Sequence, residues 1–166
     1  MGSLTHIEVL LPELRAYARA LCDRPETAED LVQDAVERAL RTEDRPDRIA
    51  EFRPWMFRVI RNLRYDELRK RRVRREYIAK EKRLYEQGIW AQDHARDVLF
   101  RLSFERMPAE EREILFLIDV MGLRYSEAAE IIGVAIGTIM SRVSRAREAL
   151  RDEMDVETEH TTKRDC

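Results

Sequence analysis

Residues 125–150 read YSEAAEIIGVAIGTIMSRVSRAREAL, two short helical patterns around a glycine turn. Ser126 is placed to N-cap the first pattern, with Glu127 in the opening turn, where the helix dipole favours an anion. Ala128, Ile131 and Ile132 then fall three and four apart, the spacing of one buried face. Gly133 suits the residue just past a helix end, where positive φ is free of steric cost. Val134 and Ile136 are expected to pack the turn, and a second helix starts near Gly137 and Thr138. Ile139, Val143, Ala146 and Leu150 give it one apolar face, turning Thr138, Ser141, Arg142, Arg145 and Arg147 elsewhere. This is the pattern of a helix-turn-helix, whose second helix enters the major groove, where Arg and Ser reach base edges and phosphates. A plain helical hairpin with a solvated arginine face has the same local pattern, so the rest of the chain must decide.

The upstream sequence is helical in character. Charged residues make up 39% of the 166, and Gly and Pro number only five each. No stretch alternates apolar and polar residues over a strand length. Residues 9–22 read as an amphipathic helix with Pro12 in its first turn, broken by Arg24-Pro25. Thr27 and Asp30 resemble a capping box opening the next helix. That helix carries an apolar stripe of Ala28, Leu31, Val32, Ala35, Val36, Ala39 and Leu40. Its opposite face presents Glu29, Asp30, Gln33, Asp34 and Glu37, either a solvated surface or a protein-docking one.

Residues 42–51 read as a connection and a third helix is expected from Pro54, with Phe52, Trp55, Met56, Val59, Ile60 and Leu63 as core. Arg58, Arg61, Asn62, Arg64 and Tyr65 lie off that stripe. Residues 76–96 lose periodicity and read as a linker, with Gly88 interrupting it. Val98, Leu99 and Leu102 start a second helical set, and Met107-Pro108 breaks it. Pro108 suits a first helical position, with Glu110 and Glu111 in the first turn. Ile114, Leu115, Leu117 and Ile118 bury that helix and Gly122 ends it; the polar tail after Met154 is expected to be disordered. The fold class is therefore all-α. Two small helical bundles, 7–75 and 97–154, flank a linker at 76–96, and a polar tail covers 155–166.

A net charge of −2 hides separated blocks. Residues 53–75 hold ten Arg or Lys against two acids, whereas residues 23–51 hold ten acids against five bases. Such blocks suggest one partner each, a polyanion for the basic one. Arginines and Asn on a rigid helix near aromatic residues suit a single strand with splayed bases. A localisation-like tract, a membrane-surface helix or a solvated helix end are the alternatives.

Cys22 and Cys166 form neither a metal spacing nor a disulfide framework, which fits a reducing cytoplasm. No apolar run reaches transmembrane length, and no secretory signal opens the sequence, so membrane insertion is not expected. No Gly-rich phosphate loop, metal cluster or recurring carboxylate spacing supports catalysis, and no cofactor is expected.

Three segments together resemble bacterial RNA polymerase sigma factors of the extracytoplasmic-function (ECF) group. TAEDLVQDAVERAL (27–40) is similar to the family's polymerase-binding helix. FRPWMFRVIRNLRYDELRKRR (52–72) is similar to its promoter-melting and −10-reading segment. MPAEEREILFLIDVMGLRYSEAAEIIGVAIGTIMSRVSRAREAL (107–150) is similar to its −35-binding region. The resemblance implies a non-enzymatic promoter-specificity subunit, with core RNA polymerase, promoter DNA and an anti-sigma factor as partners. It places Asp30, Gln33 and Asp34 against the polymerase, and Arg58, Arg61, Asn62 and Asp66 near the unwound −10 strand. Thr138, Ser141, Arg142 and Arg145 would meet the −35 duplex, with Arg147 nearer phosphate. Met140 departs from the pattern, standing where many members have Lys or Arg. The competing class is a stand-alone helix-turn-helix regulator, which would have no use for residues 27–75.

Overall fold

A computed structural model describes the backbone of residues 2–78 and 103–162, and side-chain surroundings within 5–72 and 103–154. The chain divides into two compact units between Ile89 and Trp90. Most of the expected linker, with Gly88 and Trp90, and the set Val98, Leu99 and Leu102 lie outside the described residues.

The first unit holds α1 (Gly2–Leu21), α2 (Pro25–Arg41) and α3 (Ile49–Ile78), each packed on the other two. Leu14, Tyr17 and Leu21 of α1 meet Ala28, Leu31, Val32 and Ala35 of α2 and Phe52, Met56, Phe57 and Ile60 of α3 in a closed core. The rings of Tyr17 and Phe57 lie 4.9 Å apart. Small residues on the α2 stripe let the two aromatic-bearing helices approach closely.

Several boundaries correct the sequence reading, and proline explains most of them. α1 begins at Gly2 rather than residue 9 and carries Pro12 in its interior. The stripe extends back to Ile7, and Pro12 and Glu8, whose carbonyl loses its helical donor to the proline, are both exposed residues. α2 starts at Pro25, two residues before Thr27, with Arg24 as its N-cap and no side-chain cap. Proline at the first position needs no N–H, so the expected capping box is not used. α3 starts at Ile49 rather than Pro54, so the connection is shorter than residues 42–51. Arg45 closes the end of α2, its guanidinium donating to the carbonyls of Ala39, Leu40 and Thr42 at 3.0–3.3 Å.

The buried face of α3 is also rotated from expectation. Trp55, Val59 and Leu63 are only half-buried, while Phe57 and Arg64 are enclosed. Arg64 is 5% exposed and donates through Nε to the Leu21 carbonyl at 3.1 Å, capping α1 from a partner helix. A guanidinium at a helix C-terminus meets both unpaired carbonyls and the negative dipole end. Arg64→Met keeps the stem and removes the donor. Its chemical denaturation should show a loss of about 1.5–3 kcal/mol, the usual worth of a hydrogen bond to a charged group; unchanged stability would contradict this clamp.

In the second unit a helical turn at 103–106 precedes α4 (Ala109–Leu115), which runs into a π-helical turn, Phe116–Val120. α5 (Tyr125–Ile132) and α6 (Ile136–Thr162) complete it. Pro108 stands at the cap of α4, one residue before the first helical position expected for it, and Glu110 and Glu111 occupy the first turn. Arg112 is buried and donates to the Glu105 carbonyl at 2.7 Å, tying α4 to the preceding turn. Gly122, at φ +64°, turns the chain towards α5. α4 and α5 both pack on α6, enclosing Ile114, Leu117, Ala128, Ile131, Ile139, Val143 and Ala146.

The end of α6 differs from the sequence reading. The helix continues past Met154 to Thr162, where a disordered tail was expected. The residues after Met154 contain neither Gly nor Pro, so nothing in the backbone chemistry stops it.

Candidate nucleic-acid and polymerase interface

The helix-turn-helix is built by one glycine and one carboxylate. Gly133 ends α5 in the left-handed region, φ +79° and ψ +39°, and its N–H and that of Val134 both return to the Ala129 carbonyl. The N-cap of α5 is Arg124 rather than Ser126. Glu127 reaches back three residues and accepts the Arg124 N–H at 2.8 Å, the reciprocal half of a capping box. Ile136 does not pack the turn: it is the first residue of α6 and 49% exposed.

With Ile139, Val143 and Ala146 buried, helical periodicity turns Gly137, Ser141, Ser144 and Arg145 directly outwards. Thr138 and Arg142, both half-buried, form one flank of that surface; Ile136, Met140 and Arg147 form the other. The Ser141 hydroxyl donates to the Thr138 carbonyl at 3.0 Å, and Arg145 Nε lies 3.4 Å from the Ser141 carbonyl. Arg147 is held differently, its Nε donating to Asp119 at 3.1 Å with a second contact through the same pair. That hydrogen bond and the carboxylate charge raise the Arg147 pKa further above its ordinary value. Ser144 was absent from the sequence-derived set, although its spacing from Ser141 and Gly137 marks the same face.

In the first unit the basic helix keeps its candidates together. Arg58, Arg61, Asn62, Tyr65, Asp66 and Arg69 recur at three- and four-residue steps along one side of α3. Arg58 and Asn62 are exposed, and the Arg61 guanidinium stacks over the Tyr65 ring at 4.3 Å. Asp66 pairs with Arg69 at 3.1 Å, and Glu67 engages Arg71. Tyr65 adds an aromatic face that the sequence-derived set lacked; its proximity to Arg61 at four residues was the available signal.

On α2, Asp30, Gln33 and Asp34 are all exposed and share one face with Glu37. Glu29 leaves that face: it binds Arg15 at 3.1 Å and Arg19 at 3.4 Å, joining α2 to α1. Leu40, counted in the buried stripe from sequence, is 45% exposed beside it. Among the described residues no group of His, Cys, Asp or Glu could hold a metal, and no helix is long and apolar enough to cross a membrane.

The first unit thus carries an acidic and a basic face on three packed helices, and the second carries a helix-turn-helix. The family models for sigma-70 region 2 and sigma-70 region 4 match residues 6–74 and 98–150. The chain is 37% identical over 144 residues to the ECF RNA polymerase sigma factor EcfG of Rhodopseudomonas palustris, covering 84% of this chain and 78% of that protein. It is 31% identical over 148 residues to the sigma factor CnrH of Cupriavidus metallidurans, covering 81% of this chain and 78% of the relative. Among solved structures, the sigma factor RpoE from Bartonella quintana, in complex with the anti-sigma factor NepR, is similar with a TM-score of 0.72 at 31% identity. That similarity covers 92% of this chain and 96% of RpoE. The chain belongs to the ECF group of RNA polymerase sigma factors, non-enzymatic subunits that bind core polymerase and direct initiation at promoters.

Proposed function

We propose a division of that activity among three side-chain sets. Asp30, Gln33 and Asp34 dock the core polymerase; Arg58, Arg61, Asn62 and Asp66 hold the opened −10 strand; Thr138, Ser141, Arg142, Arg145 and Arg147 engage the −35 duplex. The working parts are residues 7–75 and 97–154, with 76–96 as linker and 155–166 as a polar extension. The observation that carries this reading is the outward surface of α6, where arginines flank a small-residue centre at the start of a helix whose opposite side, Ile139, Val143 and Ala146, is buried.

Opening DNA costs about 1.4 kcal/mol per base-pair step, so melting several pairs needs more than one exposed helix face provides. The α3 face therefore captures bases that the polymerase helps to open. Tyr65, with Arg61 stacked on it, supplies a surface on which an unstacked base can lie. The RpoE structure with its anti-sigma factor supports a further element, control of this chain by a protein inhibitor; such an inhibitor would act by covering the same faces.

Arg142→Ala should weaken holoenzyme binding to a −35 duplex by about 1–3 kcal/mol if Arg142 makes a base contact. Competition binding against a scrambled duplex checks it. An equal loss on both sequences would reduce Arg142 to a phosphate contact.

A further inference from the structure

The first two turns of α6 expose two large apolar side chains, Ile136 at 49% and Met140 at 55%. Isolated exposed apolar residues are common and mean little. These two sit four residues apart on one flank of the helix, about 5–6 Å between their Cβ atoms. They also adjoin the most outward residues of the surface, Gly137 and Ser141. In a helix-turn-helix it is the N-terminal part of the second helix that reaches base edges. The polar side chains there are partly occupied within the helix, since Ser141 donates to the Thr138 carbonyl and Arg145 leans on the Ser141 carbonyl. The free edge presented by these turns on this flank is apolar.

We propose that Met140, with Ile136 beside it, reads a thymine methyl group in the −35 element. In the major groove the thymine C5-methyl is the one apolar feature that distinguishes a base pair. An unbranched thioether side chain adapts to such a small apolar target better than a branched one. A basic residue at this position would select the guanine acceptors O6 and N7, so Met140 exchanges a guanine preference for a thymine preference at that base pair. The inference rests on α6 being the −35 reader.

Holoenzyme reconstituted from core polymerase and the full chain is used to select duplexes from a library randomised across the −35 region. A fixed thymine on either strand is expected among the selected sequences. Replacing that thymine with uracil, which removes only the methyl, should lower affinity about fourfold, the worth of one buried methyl-sized group. Met140→Ala should lose most of the preference for the thymine over the uracil duplex, and Met140→Arg should select guanine there. Because Met140 is exposed, neither substitution disturbs the core. Selected sequences that tolerate uracil at every thymine overturn the methyl readout while leaving α6 as the reader. If Arg142→Ala and Arg145→Ala leave selection unchanged, α6 is not the reader and both conclusions fall.

Discussion

Asp34→Arg is expected to abolish capture of core RNA polymerase by the full chain while leaving its thermal unfolding unchanged. Asp34 is exposed and belongs to the face it shares with Asp30, Gln33 and Glu37, so the substitution breaks no packing. An acidic docking face requires a basic counterpart, and reversing one charge places like charges opposite each other at a cost of several kcal/mol. A loss of at least a hundredfold follows, read by co-purification or by surface binding. Asp34→Asn should lose less, because it removes the attraction without adding repulsion. Unchanged binding by Asp34→Arg would move the docking surface away from α2.

The second large effect is ionic. If duplex binding uses about six phosphate contacts, it should fall roughly a thousandfold between 50 and 200 mM salt. The second unit offers Arg142 and Arg145 at the proposed recognition surface, whereas Arg147 is held by Asp119. A phosphate contact by Arg147 would therefore be made beside a carboxylate that offsets part of its charge. Asp119→Asn should tighten duplex binding and steepen the logarithmic salt slope by about one. A flat dependence in the native chain would mean that base contacts, not phosphates, dominate. An unaltered slope in Asp119→Asn would place Arg147 away from the backbone.

The architecture was legible because periodicity survives without tertiary knowledge. Ile139, Val143 and Ala146 announce the buried side of α6, and the outward positions of Ser141 and Arg145 follow from them. Gly133 was equally readable, since one conformation at a helix end favours glycine so strongly. Helix starts were not, because proline signals a break in sequence yet can stand inside a helix, as exposed Pro12 does in α1. Ser126 looked like a cap, but the carboxylate of Glu127 selected Arg124 instead.

Long-range partners were invisible for a different reason. Nothing near Arg64 in sequence reveals that the end of α1 will need a donor, or that Arg147 will find Asp119, 28 residues away. Local spacing identifies faces; only packing decides which charged residue on a face is already engaged. That distinction matters for the candidate site, where it separates Asp30 and Asp34, with no ion pair among the described residues, from Glu29, and Arg145, which leans only on its own helix, from Arg147, held by Asp119.

The most direct measurement maps the 5′ ends of transcripts made from genomic DNA by core polymerase, with and without the full chain. Start sites that need the chain and share paired −10 and −35 elements are expected, lost with Asp34→Arg and weakened or reassigned with Arg142→Ala. An identical set of start sites with and without the chain would contradict that expectation.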